Sequence, residues 1–167
     1  MAKRRRLTND EWGVESNCFV CEPTNRAGMQ LAFWADDERG LVTCDLSLGA
    51  DYTGAPAVVH GGISLAVLDE VQAWAVIAFG GQFGVTVDTN ATFHLPVWVD
   101  HPYRLEGAVL GRDGDHFLTE GRILDQEGAC CVEASGRFLA VGEASAASLA
   151  PGQATGTIRS FLGEDRN

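Results

Sequence analysis

The feature that most constrains this chain is the run from Gly61 to Phe79, GGISLAVLDEVQAWAVIAF, which is almost continuously apolar, rich in Ala and Leu, and free of proline. Its length exceeds that of an ordinary strand and its residues favour helix, so it predicts one long helix. A helix without a broad polar face has to be covered nearly all round, by protein or by lipid. Asp69, Glu70 and Gln72 near its middle decide against lipid, because each acid would cost roughly 2.5–3.5 kcal/mol at the centre of a bilayer. The rest of the chain must therefore wrap this helix.

The flanking segments have the pattern to do so. Met29 to Trp34 and Leu41 to Leu48 are short apolar-rich runs separated by Asp36-Asp37-Glu38-Arg39-Gly40, and they read as a hairpin. After Gly80-Gly81 the period changes to two. Val85 to Leu95 alternates, with Thr86, Asp88, Asn90, Thr92 and His94 on one face, and stops at Pro96, as a strand does. Tyr103 to Gly111, His116 to Leu124 and Ala129 to Val141 follow, separated by the acidic and glycine-containing turns Arg112-Asp113-Gly114-Asp115 and Asp125-Gln126-Glu127-Gly128. These three form an antiparallel meander. The plan is α+β, a curved antiparallel sheet wrapped around one long central helix. Residues 1–16 read as a polar lead-in with a possible helix start at Thr8-Asn9-Asp10-Glu11, residues 17–142 as the domain, and residues 143–167, small and polar, as a loosely held tail.

Charge narrows the partners. Twelve Lys and Arg against 23 Asp and Glu give a net charge of −11, which argues against wholesale nucleic-acid binding. The basic run Lys3-Arg4-Arg5-Arg6 reads as a solvated tail, and no apolar stretch follows it to make a secretory signal. Five cysteines, an odd number, fit a reducing compartment better than a disulfide framework, so a cytoplasmic protein is expected. Cys18 and Cys21 form a single CxxC with no second Cys/His pair at comparable spacing; a structural zinc site needs about four ligands, so no metal is expected there. Cys130 and Cys131, adjacent in a strand, must point to opposite faces. No His-Glu-x-x-His, no phosphate loop and no Gly-x-Ser-x-Gly elbow is found, which argues against a serine hydrolase.

The sharpest chemical feature is His60-Gly61-Gly62 at the start of the long helix, followed by Asp69. Two glycines expose backbone N–H groups at the positive end of the helix dipole, where a developing oxyanion can be held. Asp69 sits among Leu65, Ala66, Val67, Leu68, Val71, Ala73 and Trp74, and an acid in so apolar a helix needs a reason. Glu70 lies roughly 100° further round; it reads as packing against a partner or lining a polar interface rather than sharing the role of Asp69.

The stretch HGGISLAVLDE, with an acid nine residues after the His, resembles the PaaI-like acyl-CoA thioesterases of the hotdog superfamily. VTVDTNATFHLPV is similar to that family's Thr-containing strand ending in Phe-x-x-Pro, and NCFVCEPTNRAGMQL to its Asn-Cys-Phe-x-Cys-Gly segment, with Glu22 standing where the family has glycine. The resemblance runs over residues 17–141 and implies a hotdog fold and hydrolysis of a small-molecule acyl-CoA or acyl-carrier thioester, with no metal and no organic cofactor beyond the coenzyme A of the substrate. It implies Asp69 as nucleophile or general base, the Gly61 N–H as the group that polarises the thioester carbonyl, and Gly62 supporting the same turn and contacting substrate. Thr86 is implied to help hold the attacking water or acid across a dimer interface, and His60 either to orient the site or to serve as a hydrogen-bonded structural residue. A homo-oligomer, dimer or dimer of dimers, with no membrane partner is expected, since a single such sheet leaves an edge strand uncovered. The alternative from another class is a hotdog module that binds acyl-CoA and hydrolyses nothing. Trp34, Trp74, Phe79, Phe83 and Trp98 are the candidates for shaping an acyl tunnel.

Overall fold

A computed structural model of the chain describes residues 4–9 and 16–143. The expected helix start beyond Asn9 and the expected tail from residue 144 lie outside the described residues. The elements in chain order are β1 (Arg4–Leu7), β2 (Phe33–Asp36), β3 (Leu41–Leu46), a 3₁₀ turn (Ala50–Tyr52), β4 (Thr53–Ala55), β5 (Val58–Val59), α1 (Gly61–Gly80), β6 (Gln82–Phe93), β7 (Tyr103–Asp113), β8 (His116–Leu124) and β9 (Cys130–Glu143). Seven strands form one sheet in the order β1-β2-β3-β7-β8-β9-β6, every neighbouring pair antiparallel. β4 and β5 make a separate small hairpin.

The apolar run forms the expected helix, ended by Gly81, which takes the left-handed conformation (φ 66°) and donates its N–H to Ile77 O at 3.2 Å. That conformation costs a glycine nothing and turns the chain directly into β6. α1 lies across the concave side of the sheet, touching β3, β6, β7, β8 and β9. Val67, Leu68, Val71 and Ala75 are fully buried against Phe33, Val42, Leu105, Ile123 and Val132. The approach is close enough that a Cβ on Gly107 would stand 2.6 Å from Val71 O. Gln72, the polar residue that most needs explaining inside this core, donates from Nε2 to Leu68 O (2.9 Å) and accepts at Oε1 from Thr119 Oγ1 (2.7 Å), so its burial leaves neither end unpaired. One helix wrapped by one curved antiparallel sheet is the hotdog fold.

Two points differ from the sequence expectation, and the strand order adds a third feature that the sequence left open. Arg4–Leu7 is a strand rather than a loose tail: the three arginines stay in solvent, and the buried Leu7 docks it beside β2. The strict alternation expected along β6 is broken by a register shift between Thr86 and Asp88. Above all, β6 lies beside β9, whereas β7 is reached by a connection tied to the small hairpin through Val59 N–H to Val97 O (2.8 Å) and takes the centre of the sheet beside β3. β6 is therefore an edge strand of the sheet, and its apolar side chains Val87 and Phe93 stand exposed.

Candidate active site

The mouth of α1 is organised by His60. Its backbone N–H donates to Tyr52 O (2.8 Å), its carbonyl accepts from Ile63 and Ser64 (2.9 and 3.1 Å), and its Nδ1 accepts from the Gly62 N–H at 2.9 Å. His60 is thus the N-cap, a role usually filled by Ser, Asp or Asn. This contact occupies the Gly62 donor. The Gly61 N–H has no acceptor among the described residues. It opens on a cleft of about 300 Å³ bordered by Val58, Val59, Ser64, Phe93 and Leu95.

Asp69 sits further along the helix, where Thr86 of β6 donates its hydroxyl to Oδ1 at 2.6 Å. This is the length of a charge-assisted O–H···O⁻ bond, and it holds the half-buried carboxylate in one rotamer. The contact joins α1 and β6 of the same chain. Gly61 and Asp69 are eight residues apart on one straight helix, about 12 Å along its axis at 1.5 Å per residue. A thioester carbonyl carbon must lie about 3 Å from both the attacking atom and the oxyanion donors. One chain therefore holds the Gly61 N–H and the Asp69 carboxylate too far apart to act on the same carbonyl.

β6 runs antiparallel alongside α1 and spans the same two places. Its Thr86 is bonded to Asp69, and seven residues on the ring of Phe93 lies 3.5 Å from where a Cβ on Gly61 would stand. Asp69 and Gly61 thus each lie beside one end of the edge strand.

Glu70 turns away from this site, as its angle on the helix required, and meets Cys18 of its own chain. Its Oε1 accepts from Cys18 Sγ at 3.4 Å. Burial, followed by the nearby Cys18 charge, raises the Glu70 carboxyl to about 7. The hydrogen bond from the Cys21 thiol, helped by backbone N–H groups of Cys21 and Val20, lowers Cys18 to about 5 against the opposing effect of burial. The same thiol–thiol bond, with burial, pushes Cys21 up. The CxxC was visible in the sequence; its carboxylate neighbour, 49 residues beyond Cys21, was not. Cys130 and Cys131 face opposite ways as expected, the second buried. Of the five aromatic candidates for a tunnel, Trp74 and Phe83 are buried in the core and Trp98 is exposed.

The fold is the hotdog fold, and the chain is similar to proteins of the thioesterase superfamily. Residues 57–132, which include all of α1, match the family model described as Thioesterase superfamily. The chain is 32% identical over 95 residues to the uncharacterized protein C26H8.11c of Schizosaccharomyces pombe, an alignment covering 54% of each chain. It is 29% identical over 89 residues to human acyl-coenzyme A thioesterase 13, covering 51% of this chain and 56% of that one. Among solved structures, protein RHA08564, a thioesterase superfamily protein, superposes with a TM-score of 0.66 at 32% identity, covering 70% of this chain and 57% of the other. The chain spans about half the length of the curated relatives it matches.

Proposed function

We propose that this protein hydrolyses a small-molecule acyl-coenzyme A or acyl-carrier thioester, as a homo-oligomer whose active sites are each shared by two subunits. The observation that carries the reading is the split just described: an unpaired backbone donor at Gly61 and a carboxylate held by Thr86 at Asp69, on one helix and about 12 Å apart, both tied to an uncovered edge strand. Antiparallel pairing of β6 with the β6 of a second copy sets the Thr86 end of one strand beside the Phe93 end of the other. It brings Asp69 of each chain toward Gly61 of the partner subunit. The same pairing satisfies the free N–H and C=O groups of the edge and covers its exposed apolar side chains.

In such a site the thioester carbonyl oxygen accepts from the Gly61 N–H, aided by the helix dipole. Thr86 engages Oδ1 of Asp69 and leaves Oδ2 facing the substrate. As general base, Oδ2 takes a proton from water while the water oxygen bonds to the carbonyl carbon and the carbonyl π pair moves to oxygen. The tetrahedral adduct then re-forms its carbonyl, the C–S bond breaks with its electron pair leaving on sulfur, and the proton held by Asp69 passes to that sulfur. As nucleophile, the same oxygen bonds to the carbonyl carbon, the C–S bond breaks with its electron pair leaving on sulfur, and water then cleaves the acyl anhydride to release the acid and regenerate the Asp69 carboxylate. Neither route calls on a cofactor. The free cysteines are in keeping with a reducing, cytoplasmic setting.

Release of free thiol from a panel of acyl-CoA substrates, followed with a thiol reagent, is the test. Turnover of at least one acyl-CoA at a rate that scales with enzyme concentration is expected. Tight binding of acyl-CoA with no thiol released across the panel would replace this reading with that of a non-catalytic ligand-binding module.

A further inference from the structure

Nothing in that chemistry uses Cys18, Cys21 and Glu70, yet one ligand atom from each lies within 4.8 Å of the other two. The sulfurs come from a tight turn whose shape is set by its own backbone: the N–H groups of Val20 and Cys21 both point at Cys18 Sγ, at 3.3 Å each. Bonds from the second and third residues after the first cysteine curl a CxxC so that both sulfurs face one point. They also donate to the sulfur that would carry negative charge when bound to a cation. The turn is held from outside by Met29 N–H to Phe19 O (2.7 Å), Glu22 N–H to Cys18 O (3.3 Å) and Asn25 Nδ2 to Asn17 O (3.1 Å). Glu22 itself faces elsewhere, its Oε1 accepting from the Thr24 hydroxyl and N–H.

Glu70 supplies the third arm. It projects from the middle of α1, and none of the ion pairs among the described residues includes it. A half-buried carboxylate packed against two thiols, with no cationic side chain paired to it, is an unfavourable arrangement unless a cation or a proton is shared among them. Two sulfurs and one carboxylate oxygen exclude magnesium and calcium, which take oxygen ligands, and suit zinc. On a tetrahedral zinc, with Zn–S about 2.3 Å and Zn–O about 2.1 Å, neighbouring ligand atoms stand about 3.6–3.8 Å apart. The Cys18 Sγ to Glu70 Oε1 distance of 3.4 Å is within a few tenths of that geometry.

We propose that Cys18, Cys21 and Glu70 bind a zinc ion, with water completing the tetrahedron. The ion staples the turn at residues 18–21 to α1 at the residue next to Asp69, so it acts as a positioning element and takes no part in the hydrolytic step. The sequence expectation of no metal rested on there being only two ligands; the fold brings the third from a distant part of the chain.

The test uses untagged full-length protein purified without chelator. Elemental analysis is expected to give about one zinc per chain. After removal of zinc, titration with Co²⁺ is expected to give the thiolate-to-metal absorption of sulfur-bound cobalt. Cys18→Ser and Cys21→Ser are expected to lose that absorption, and Glu70→Gln to weaken zinc binding by roughly tenfold or more. Cys130→Ser, which removes a member of the exposed His94, Cys130 and Glu133 cluster, is expected to leave the zinc content as it was. Wild-type protein that takes up neither zinc nor sulfur-bound cobalt from micromolar metal overturns the proposal, and so does a zinc content that follows Cys130. The wild-type cobalt spectrum decides the matter even if a cysteine variant fails to fold.

Discussion

Replacing Gly61 by proline removes one hydrogen-bond donor from the proposed site and disturbs little else. Gly61 is the first helical residue, the position where proline is best tolerated because its N–H has no helical partner. The preceding residue, His60, already has φ −59° and ψ 134°, the extended conformation that a following proline demands. A Cβ at position 61 would meet the Phe93 ring at 3.5 Å, an ordinary contact. The fold should therefore tolerate the change, with stability shifted by no more than about 1 kcal/mol, and upward if the restricted unfolded chain dominates. Activity should not survive it: loss of one oxyanion donor typically costs about 10²–10³ in kcat, or ~2.7–4 kcal/mol of transition-state stabilisation. The assay is thiol release from the best acyl-CoA substrate, alongside denaturant unfolding of the same preparation. Sharing of the site adds a second reading. Gly61→Pro and Asp69→Asn chains, each inactive alone, should on co-refolding form mixed dimers in which one of the two sites has both groups intact. At equal input about a quarter of all sites should then be restored. A folded Gly61→Pro protein within about threefold of wild-type kcat would refute the oxyanion role, and mixed chains that associate yet stay inactive would refute the shared site.

Three further outcomes are expected. Asp69→Asn, nearly isosteric but neither a base nor a nucleophile, should lower kcat by about 10²–10⁴ while circular dichroism and the oligomeric state stay as in wild type. Gly107→Ala forces a Cβ to within 2.6 Å of Val71 O, and since backbone cannot swing aside as a side chain can, it should lose about 1–3 kcal/mol in denaturant unfolding. Cys44 is pushed up to about 12 from an ordinary 9.0 by burial and then by Asp45. Its contribution to stability is thus fully present below about pH 9 and lost as pH rises through the folded value, so Cys44→Ala should flatten the fall in unfolding free energy above pH 9.

The amino-acid sequence by itself determined that a single apolar helix had to be enclosed in protein, because acids at its middle forbid lipid and its missing polar face forbids solvent. It also located β3 and β6 to β9, since turn residues and a change of period mark them, though not β1 or the small β4–β5 hairpin, and it placed β2 a few residues early. It marked His60, Gly61 and Asp69 as unusual, because glycines at a helix start and an acid in an apolar helix are features of local chemistry. Only the tertiary structure decided which of these groups meet. That Thr86 reaches Asp69 within its own chain depends on Gly81 turning β6 back along α1. That β6 ends at the edge of the sheet depends on β7 entering beside β3, a choice of neighbour that strand patterning does not encode, because every one of these strands offers the same backbone groups. The loose basic tail became β1 for the same reason: what holds it is the burial of Leu7 beside β2, a contact between residues 26 positions apart in the Leu7–Phe33 register. Glu70 could be assigned a direction from the helical angle but not a neighbour, since Cys18 reaches it only through the path of the loop between β1 and β2. Local periodicity fixes what each segment becomes; the company each side chain keeps is set by long-range packing, and in this protein the proposed catalysis and the proposed zinc site both reside in that company.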